Sequence, residues 1–284
     1  MKFDNIIGNP PYNNDMYIDF MYNLNSLSNS DMLMIVPAKL FFNKELIQDK
    51  FNKINRYIKK CIFYQCEGEV FKINMASGIA IFIIGKESRD TTHIKNISNV
   101  FESFNTDEFI EVNKDIKTFN INAMSIINKV LSQSEWYKIS ENDLSGRYKC
   151  TARKQAYVLG GSANANRSIF YYDDRFDKGW VTNSFSIEEE TKLGVGRIIL
   201  FSSNNTEECK SFISYINTRL VRYLIAVGAS GYSNILNDTT FRFVPKQSKF
   251  DHIFTDAELY EKYKLSEDEI NIIESVIKER DICI

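Results

Sequence analysis

Several features that commonly identify a partner or a compartment are missing from this sequence. Its 284 residues carry 35 lysines and arginines against 37 acidic residues, a formal net charge of −2. No global excess of positive charge therefore indicates a nucleic-acid partner, and any such surface must be a local patch. No apolar run approaches the roughly 20 residues that cross a bilayer, and no secretory leader is visible. We expect a cytoplasmic protein without a membrane span.

The spacing of residues that bind metal ions is also missing. The five cysteines are scattered, and none forms a C-x-x-C pair. An odd number of separate cysteines is typical of free thiols in a reducing compartment. Because His93 and His252 are the only imidazoles, we expect neither a zinc site nor another bound metal. The cysteines are Cys61, Cys66, Cys150, Cys209 and Cys283.

Hydrophobic residues make up 44% of the chain, which is sufficient for one large or two medium domains. The first third alternates short apolar runs with helical spacing. The strand-like runs cover residues 3–8, 32–36, 59–64 and 79–84, and the first helical pattern covers 17–27. Such alternation predicts an α/β fold with a largely parallel sheet.

Changes in composition along the sequence divide the chain into four predicted parts. Residues 1–104 form the first predicted domain, and residues 105–135 are polar and are predicted to be a partly helical linker. Residues 136–250 combine short β-like runs with intervening glycine and asparagine residues that favour turns, which is typical of an α+β domain. Residues 251–284 contain a capping box at Ser266–Glu269 and are predicted to be helical. One helical pattern lies inside the second domain, formed by Phe212, Ile213, Ile216, Leu220 and Tyr223.

The most informative feature is the loop Asn9-Pro10-Pro11-Tyr12, which ends the first strand. The exocyclic amine of adenine is a poor nucleophile, and two fixed acceptors can orient its N–H groups toward a methyl donor. The Asn9 side-chain oxygen is one acceptor, and the Pro10 carbonyl is the other, because successive prolines restrict the backbone and lack N–H groups. Tyr12 can stack on a base that has left the duplex, and such stacking stabilises the flipped base by on the order of 1–3 kcal/mol.

This loop resembles motif IV of the adenine-specific DNA methyltransferases of Type II restriction–modification systems. Residues 34–42 resemble the family's next strand, residues 68–86 its motif VIII, and residues 243–274 the C-terminal end of some members. The resemblance implies a partial Rossmann-like methyltransferase sheet followed by an α+β target-recognition domain, with S-adenosylmethionine as cofactor and double-stranded DNA as substrate. The implied catalytic residues are Asn9, Pro10, Pro11, Tyr12 and Phe71.

Other interpretations of these residues remain open. Asn-Pro is also a common strand-ending turn, and the same loop occurs in methyltransferases that act on RNA guanine or protein glutamine. Phe71 is also interpretable as an ordinary core aromatic residue. The large C-terminal part of the chain favours DNA over RNA or protein as the substrate.

A cofactor-binding loop is not evident. The glycine clusters at residues 193–196 and 227–231 do not lie between a clear strand and a helix, as such a loop requires. In the family, the strand before motif IV lies in mid-sheet, beside the strand that carries the cofactor loop. Without that half, residues 3–8 would form an exposed apolar edge strand, which natural proteins avoid. We therefore expect a second polypeptide, or a split gene, to supply the missing half, and cofactor-binding residues stay unassigned.

A candidate DNA surface lies between residues 145 and 172, where five basic residues and no acidic residue occur. Tyrosines interleave with these cations, a composition that suits phosphate contacts and base-edge hydrogen bonds. A solvated loop face is the alternative. The candidate DNA-binding residues are Arg147, Lys149, Arg153, Lys154, Arg167 and Tyr171. Weaker candidates are Trp180, Asn183 and residues 230–234, and Arg219 and Arg222 are expected to face DNA or solvent.

The sequence thus predicts the catalytic and DNA-recognition part of an adenine-N6 methyltransferase. The alternative is a DNA-binding specificity subunit, or a degenerate methyltransferase, that does not catalyse transfer.

Overall fold

The computed structural model describes residues 2–38, 41, 49–64, 78–97, 106–113, 121–153, 186–189, 197–228, 236–238, 240–277 and 279. These residues divide into two compact units, the first ending at Met124 and the second beginning at Ser125. No helix within the described ranges has both the length and the apolar character needed to cross a membrane.

Unit 1 is built on a six-stranded sheet in the order β1-β2-β4-β3-β5-β6. Its strands are β1 (Ile6–Gly8), β2 (Met32–Pro37), β3 (Ile58–Tyr64), β4 (Ile79–Ile84), β5 (Thr91–Ile97) and β6 (Ile110–Asn113). The sheet combines with helices α1 (Met16–Leu27) and α2 (Asp49–Asn55). The α/β class is therefore confirmed for this unit.

The prediction of a largely parallel sheet is wrong. Only β1–β2 and β3–β5 pair in parallel, whereas β2–β4, β3–β4 and β5–β6 are antiparallel. Strand β4 lies between β2 and β3 and runs against both. Continuous apolar runs are typical of parallel strands, but a central antiparallel strand of a mixed sheet can have the same sequence signature.

The core of unit 1 lies between the sheet and its helices. The residues Met32, Met34 and Val36 of β2 are fully buried, as the alternation of side chains along a strand requires. Phe82 of β4 contacts Phe51 of α2, with ring centroids 6.5 Å apart. Helix α1 buries Tyr17, Ile18 and Met21, which places one of its faces against the core.

The stretch predicted as a linker, residues 105–135, contains regular structure. It includes β6, which pairs with β5, a 3-10 turn at Ile121–Ala123 and helix α3 (Met124–Leu131).

Unit 2 combines an antiparallel sheet with helices. Its strands β7 (Tyr148–Arg153), β8 (Ser186–Glu189) and β9 (Arg197–Ser203) lie in the order β8-β7-β9. Four helices follow in the described ranges, α4 (Thr206–Asn217), α5 (Arg219–Gly228), α6 (Asp256–Lys262) and α7 (Glu267–Val276). The capping box predicted at Ser266 is confirmed at the start of α7, where Ser266 and Glu269 bind each other's backbone N–H groups.

The helical pattern at residues 212–223 is two helices rather than one. Helix α4 ends at Asn217, and Thr218 separates it from α5. The Asp256 carboxylate accepts hydrogen bonds from the Arg219 and Leu220 backbone N–H groups at 2.6 and 3.4 Å. A side chain from α6 thus caps the start of α5, a long-range contact that helical periodicity does not reveal.

Candidate active site

The loop Asn9–Tyr12 begins where β1 ends, beside the parallel strand β2. Gly8 lies opposite Met34 in this pairing, and a Cβ on Gly8 would lie 2.9 Å from the Met34 Sδ atom. The small residue thus allows β1 to approach β2 closely just before the loop. Pro10 is buried, whereas Asn9 and Pro11 are exposed. The proline therefore anchors the loop while the Asn9 amide stays accessible to a ligand.

Tyr12 connects the loop to the sheet. Its hydroxyl group donates a hydrogen bond to the Asn9 Oδ1 atom at 2.7 Å, and the Ile35 carbonyl oxygen of β2 lies 3.3 Å from the same hydroxyl. The Tyr12 ring makes an edge contact with Tyr17 of α1, with centroids 6.3 Å apart. Burial raises the pKa of Tyr12, so its hydroxyl stays protonated at neutral pH and can act as a donor.

Strand β1 lies at one edge of the sheet. It pairs with β2 on one side, and within the described ranges no strand pairs with its other side. Ile7 is 78% exposed. The expectation of an exposed apolar edge strand is confirmed for the part of the chain that the structure describes, and the unpaired backbone groups there are available to another strand.

Exposed apolar side chains are concentrated in the segment of the chain that contains β1 and α1. Of seven large hydrophobic residues that are exposed in the described ranges, six lie between residues 3 and 27. Met16, Phe20 and Leu27 are separated by four and seven positions and share one face of α1. Apolar surface clustered in this way usually marks an interaction site.

Several predicted site residues lie outside the described residues. These are Phe71, Lys154, Arg167, Tyr171, Trp180, Asn183, residues 193–196 and residues 229–234. Arg153 is the last residue of β7, and its side chain lies outside the described part of the structure. Gly228, from the second glycine cluster, is the last residue of helix α5.

Two of the predicted DNA-binding residues, Arg147 and Lys149, are described with their side chains and differ in exposure. Arg147 is exposed, and its guanidinium group lies 5.5 Å from the Tyr148 ring centroid. The Lys149 ammonium group instead donates a hydrogen bond to the Leu144 carbonyl oxygen. Arg147 is also the more exposed of the two residues, because Lys149 is half-buried.

The pairing of β7 with β8 changes the local charge. Tyr148 lies opposite Glu189, and Lys149 lies opposite Glu188. Residues 145–172 contain no acidic residue, but the fold places two glutamates beside their first strand. The local balance of charge is thus less positive than the sequence window alone indicates.

The expectation that Arg219 and Arg222 face DNA or solvent is wrong. The Arg219 guanidinium group binds the carboxylates of Glu274 and Glu279 at 2.6 and 2.9 Å, and Arg222 is 0% exposed. Both residues belong to the packing of the helices of unit 2. Helical spacing identifies neither the buried face nor a carboxylate that comes from a later helix.

The acidic, cysteine and histidine residues form no metal-binding group of three or more in the part of the chain that the structure covers. Cys61, Cys150 and Cys209 are buried free thiols, as expected for these three cysteines.

No protein-family model and no curated protein sequence matches this chain. Among solved structures, it is similar to a type I restriction-modification system methyltransferase subunit from Streptococcus thermophilus. That likeness has 16% identity and a TM-score of 0.25, and it covers 48% of this chain and 33% of that one. The type I restriction enzyme EcoKI M protein has 11% identity and a TM-score of 0.25, with coverage of 96% and 49%.

This chain therefore spans less than half the length of either structure. At these TM-scores neither likeness supports an inference about fold or activity.

Proposed function

We propose that the loop Asn9–Tyr12 is the amine-binding site of a site-specific DNA adenine-N6 methyltransferase. The observation that carries this proposal is the accessible Asn9 amide, which a hydrogen bond from Tyr12 holds at the end of a strand. An oriented amide oxygen beside a proline backbone is what the adenine amine requires, because its two N–H groups need fixed acceptors.

Each residue of the site has a distinct part in this proposal. The Asn9 Oδ1 atom and the Pro10 carbonyl oxygen accept the two amine protons, and Pro11 restricts the loop. The rings of Tyr12 and Phe71 contact the faces of the base after it leaves the duplex, which offsets part of the cost of flipping. S-adenosylmethionine, when bound, supplies an electrophilic methyl group.

The described residues contain no glycine-rich turn between a strand and a helix that would hold this cofactor, and we assign it no residue here. We propose instead that a second polypeptide supplies the cofactor-binding half and pairs with the free edge of β1. This arrangement is supported by the exposed Ile7 and by the outer side of β1, with which no strand of the described residues pairs. A partner strand at this edge would lie directly beside Asn9, where the methyl donor is needed.

Recognition of the DNA sequence is assigned to residues 136–250. The proposed contacts are Arg147, Lys149, Arg153, Lys154, Arg167 and Tyr171. Arg147 has the most support, since its side chain is exposed beside an aromatic ring. Such cations position a protein on duplex DNA mainly through phosphates.

A second candidate function is a DNA-binding specificity subunit that does not catalyse transfer. The exposed Arg147 beside an aromatic ring supports it, because such a cation can contact DNA whether or not the chain transfers methyl groups.

Co-purification with the product of the neighbouring gene tests the proposal. Calorimetry should detect no micromolar binding of S-adenosylmethionine to the isolated chain, whereas the complex should bind it. The complex should then transfer labelled methyl groups to duplex DNA. Transfer to RNA or protein but not DNA would contradict the substrate class, and micromolar cofactor binding by the isolated chain would contradict the need for a partner.

A further inference from the structure

The Tyr12 hydroxyl group has one proton and two acceptors within reach. Asn9 Oδ1 lies at 2.7 Å and the Ile35 carbonyl oxygen at 3.3 Å. The shorter contact receives the proton, because hydrogen bonds weaken as the distance grows. A hydroxyl group can donate to an amide oxygen or accept from an amide NH2 group; here the Asn9 atom at 2.7 Å is Oδ1, so Tyr12 is the donor and the contact fixes the oxygen end of the amide.

Tyr12 is itself held in place. Its ring meets the edge of Tyr17, which is fully buried, and its hydroxyl lies against the Ile35 carbonyl of β2. Strand β2 pairs on both sides, with β1 and with β4. The hydroxyl that contacts Asn9 is therefore attached to a well-paired part of the sheet rather than to the loop alone.

We propose that Tyr12 is a positioning residue for Asn9, holding the amide so that Oδ1, rather than Nδ2, is presented as the acceptor. This inference rests on the proposed function. An amide oxygen has two lone pairs, so one can accept from Tyr12 while the other accepts from the adenine amine. An unconstrained Asn9 would also present its NH2 group, a donor that cannot pair with the amine protons.

Removal of the Tyr12 hydroxyl oxygen distinguishes this positioning role from stacking on the base. Tyr12→Phe keeps the ring and removes the hydroxyl. If Tyr12 only stacks on the base, the variant should transfer methyl groups as the wild type does. If the hydroxyl positions Asn9, the variant should bind and flip the base normally but react more slowly, because misplaced catalytic groups lower the rate of the chemical step.

The first test uses the isolated full-length chain with 15N-labelled asparagine. The Asn9 side-chain NH2 signals are identified by their loss in Asn9→Ala. Tyr12→Phe should shift these signals, whereas Tyr22→Phe, on an exposed tyrosine of α1, should leave them in place. Asn9 signals that are unchanged by Tyr12→Phe would overturn the proposal.

The second test uses the complex with the cofactor-binding half. Tyr12→Phe should lower kcat about 10-fold while the affinity for duplex DNA and the fluorescence signal of a flipped 2-aminopurine stay at wild-type values. A wild-type kcat for Tyr12→Phe would overturn the positioning role. A wild-type complex that transfers no methyl group contradicts the proposed function instead, and the NMR comparison still decides whether Tyr12 positions Asn9.

Discussion

Ile7 lies opposite Leu33 in the parallel pairing of β1 with β2, yet 78% of its surface is exposed. An apolar side chain on an unpaired strand edge promotes association with other strands, and a lysine at such a position prevents it. Within the described residues, the free side of β1 has no such protection.

We therefore predict that Ile7→Lys decreases concentration-dependent self-association of the isolated chain without unfolding it. Light scattering over a range of concentrations measures this. Ile253→Lys is the matched control, because Ile253 is also exposed, at 53%, but lies in unit 2. Equal effects of the two substitutions would show that general solubility, rather than the edge of β1, is responsible.

Replacement of Arg147 tests the proposed DNA surface. Arg147→Ala should weaken duplex binding and reduce the slope of log affinity against log salt by about one unit, as for one lost phosphate contact. Lys210→Ala serves as the control, since Lys210 lies on helix α4 of unit 2 and is not one of the proposed DNA contacts. An unchanged slope for Arg147→Ala would remove this residue from the interface.

Gly146 permits a close approach to β9. A Cβ at this position would lie 2.5 Å from the Ser203 nitrogen and 2.6 Å from its Cα atom, and backbone cannot move aside as a side chain can. Gly146→Ala should therefore decrease the free energy of unfolding by about 1–3 kcal/mol, the usual cost of overpacking. Urea denaturation measures the change.

Gly8→Ala provides the comparison for this prediction. Its Cβ would meet the end of the flexible Met34 side chain, which can adopt another rotamer, so the loss of stability should be smaller. A larger loss for Gly8→Ala than for Gly146→Ala would contradict the packing described here.

His252 should make stability depend on pH. Hydrogen bonds to Asp251 and Glu258, both at 2.9 Å, raise the pKa of His252. A folded-state pKa above the unfolded value, which is about 6.5, means that the stabilisation is fully present below that pH. It is lost as the pH rises through the folded-state pKa.

The Tm difference between wild type and His252→Gln should accordingly be larger at pH 5.5 than at pH 9. High salt should reduce it, because His252 and its partners are exposed and screening weakens their attraction. Thermal unfolding at the two pH values measures the difference. An equal Tm difference at both would mean that the imidazolium does not contribute.

Four of the six strands in unit 1, β1 to β4, could be located from the sequence, whereas β5, β6 and the directions of the strands could not. The apolar runs at residues 32–36 and 79–84 correspond to β2 and β4 within one residue. A run that is buried on both faces contains the same residue types in either direction. The antiparallel pairing of β4 therefore depends on tertiary contacts that a local window does not contain.

The candidate site shows the same division between local and distant contacts. The loop was evident from the sequence, and the contact between Asn9 and Tyr12 joins residues only three positions apart. The contact of Tyr12 with Ile35 joins residues 23 positions apart and could not be predicted. In unit 2, the glutamates opposite Tyr148 and Lys149 lie about 40 residues later in the chain, so a local count of charge overlooked them.

The most direct test of the central claim is product analysis after methyl transfer. Duplex DNA is incubated with the complex and labelled S-adenosylmethionine, digested to nucleosides and assayed for N6-methyladenine. Wild type and the control Asn23→Ala, an exposed asparagine of α1, should form this product. Asn9→Ala should form it about 100-fold more slowly or not at all, as for loss of a preorganised polar group, while still binding DNA. A wild-type yield of N6-methyladenine from Asn9→Ala would contradict the account.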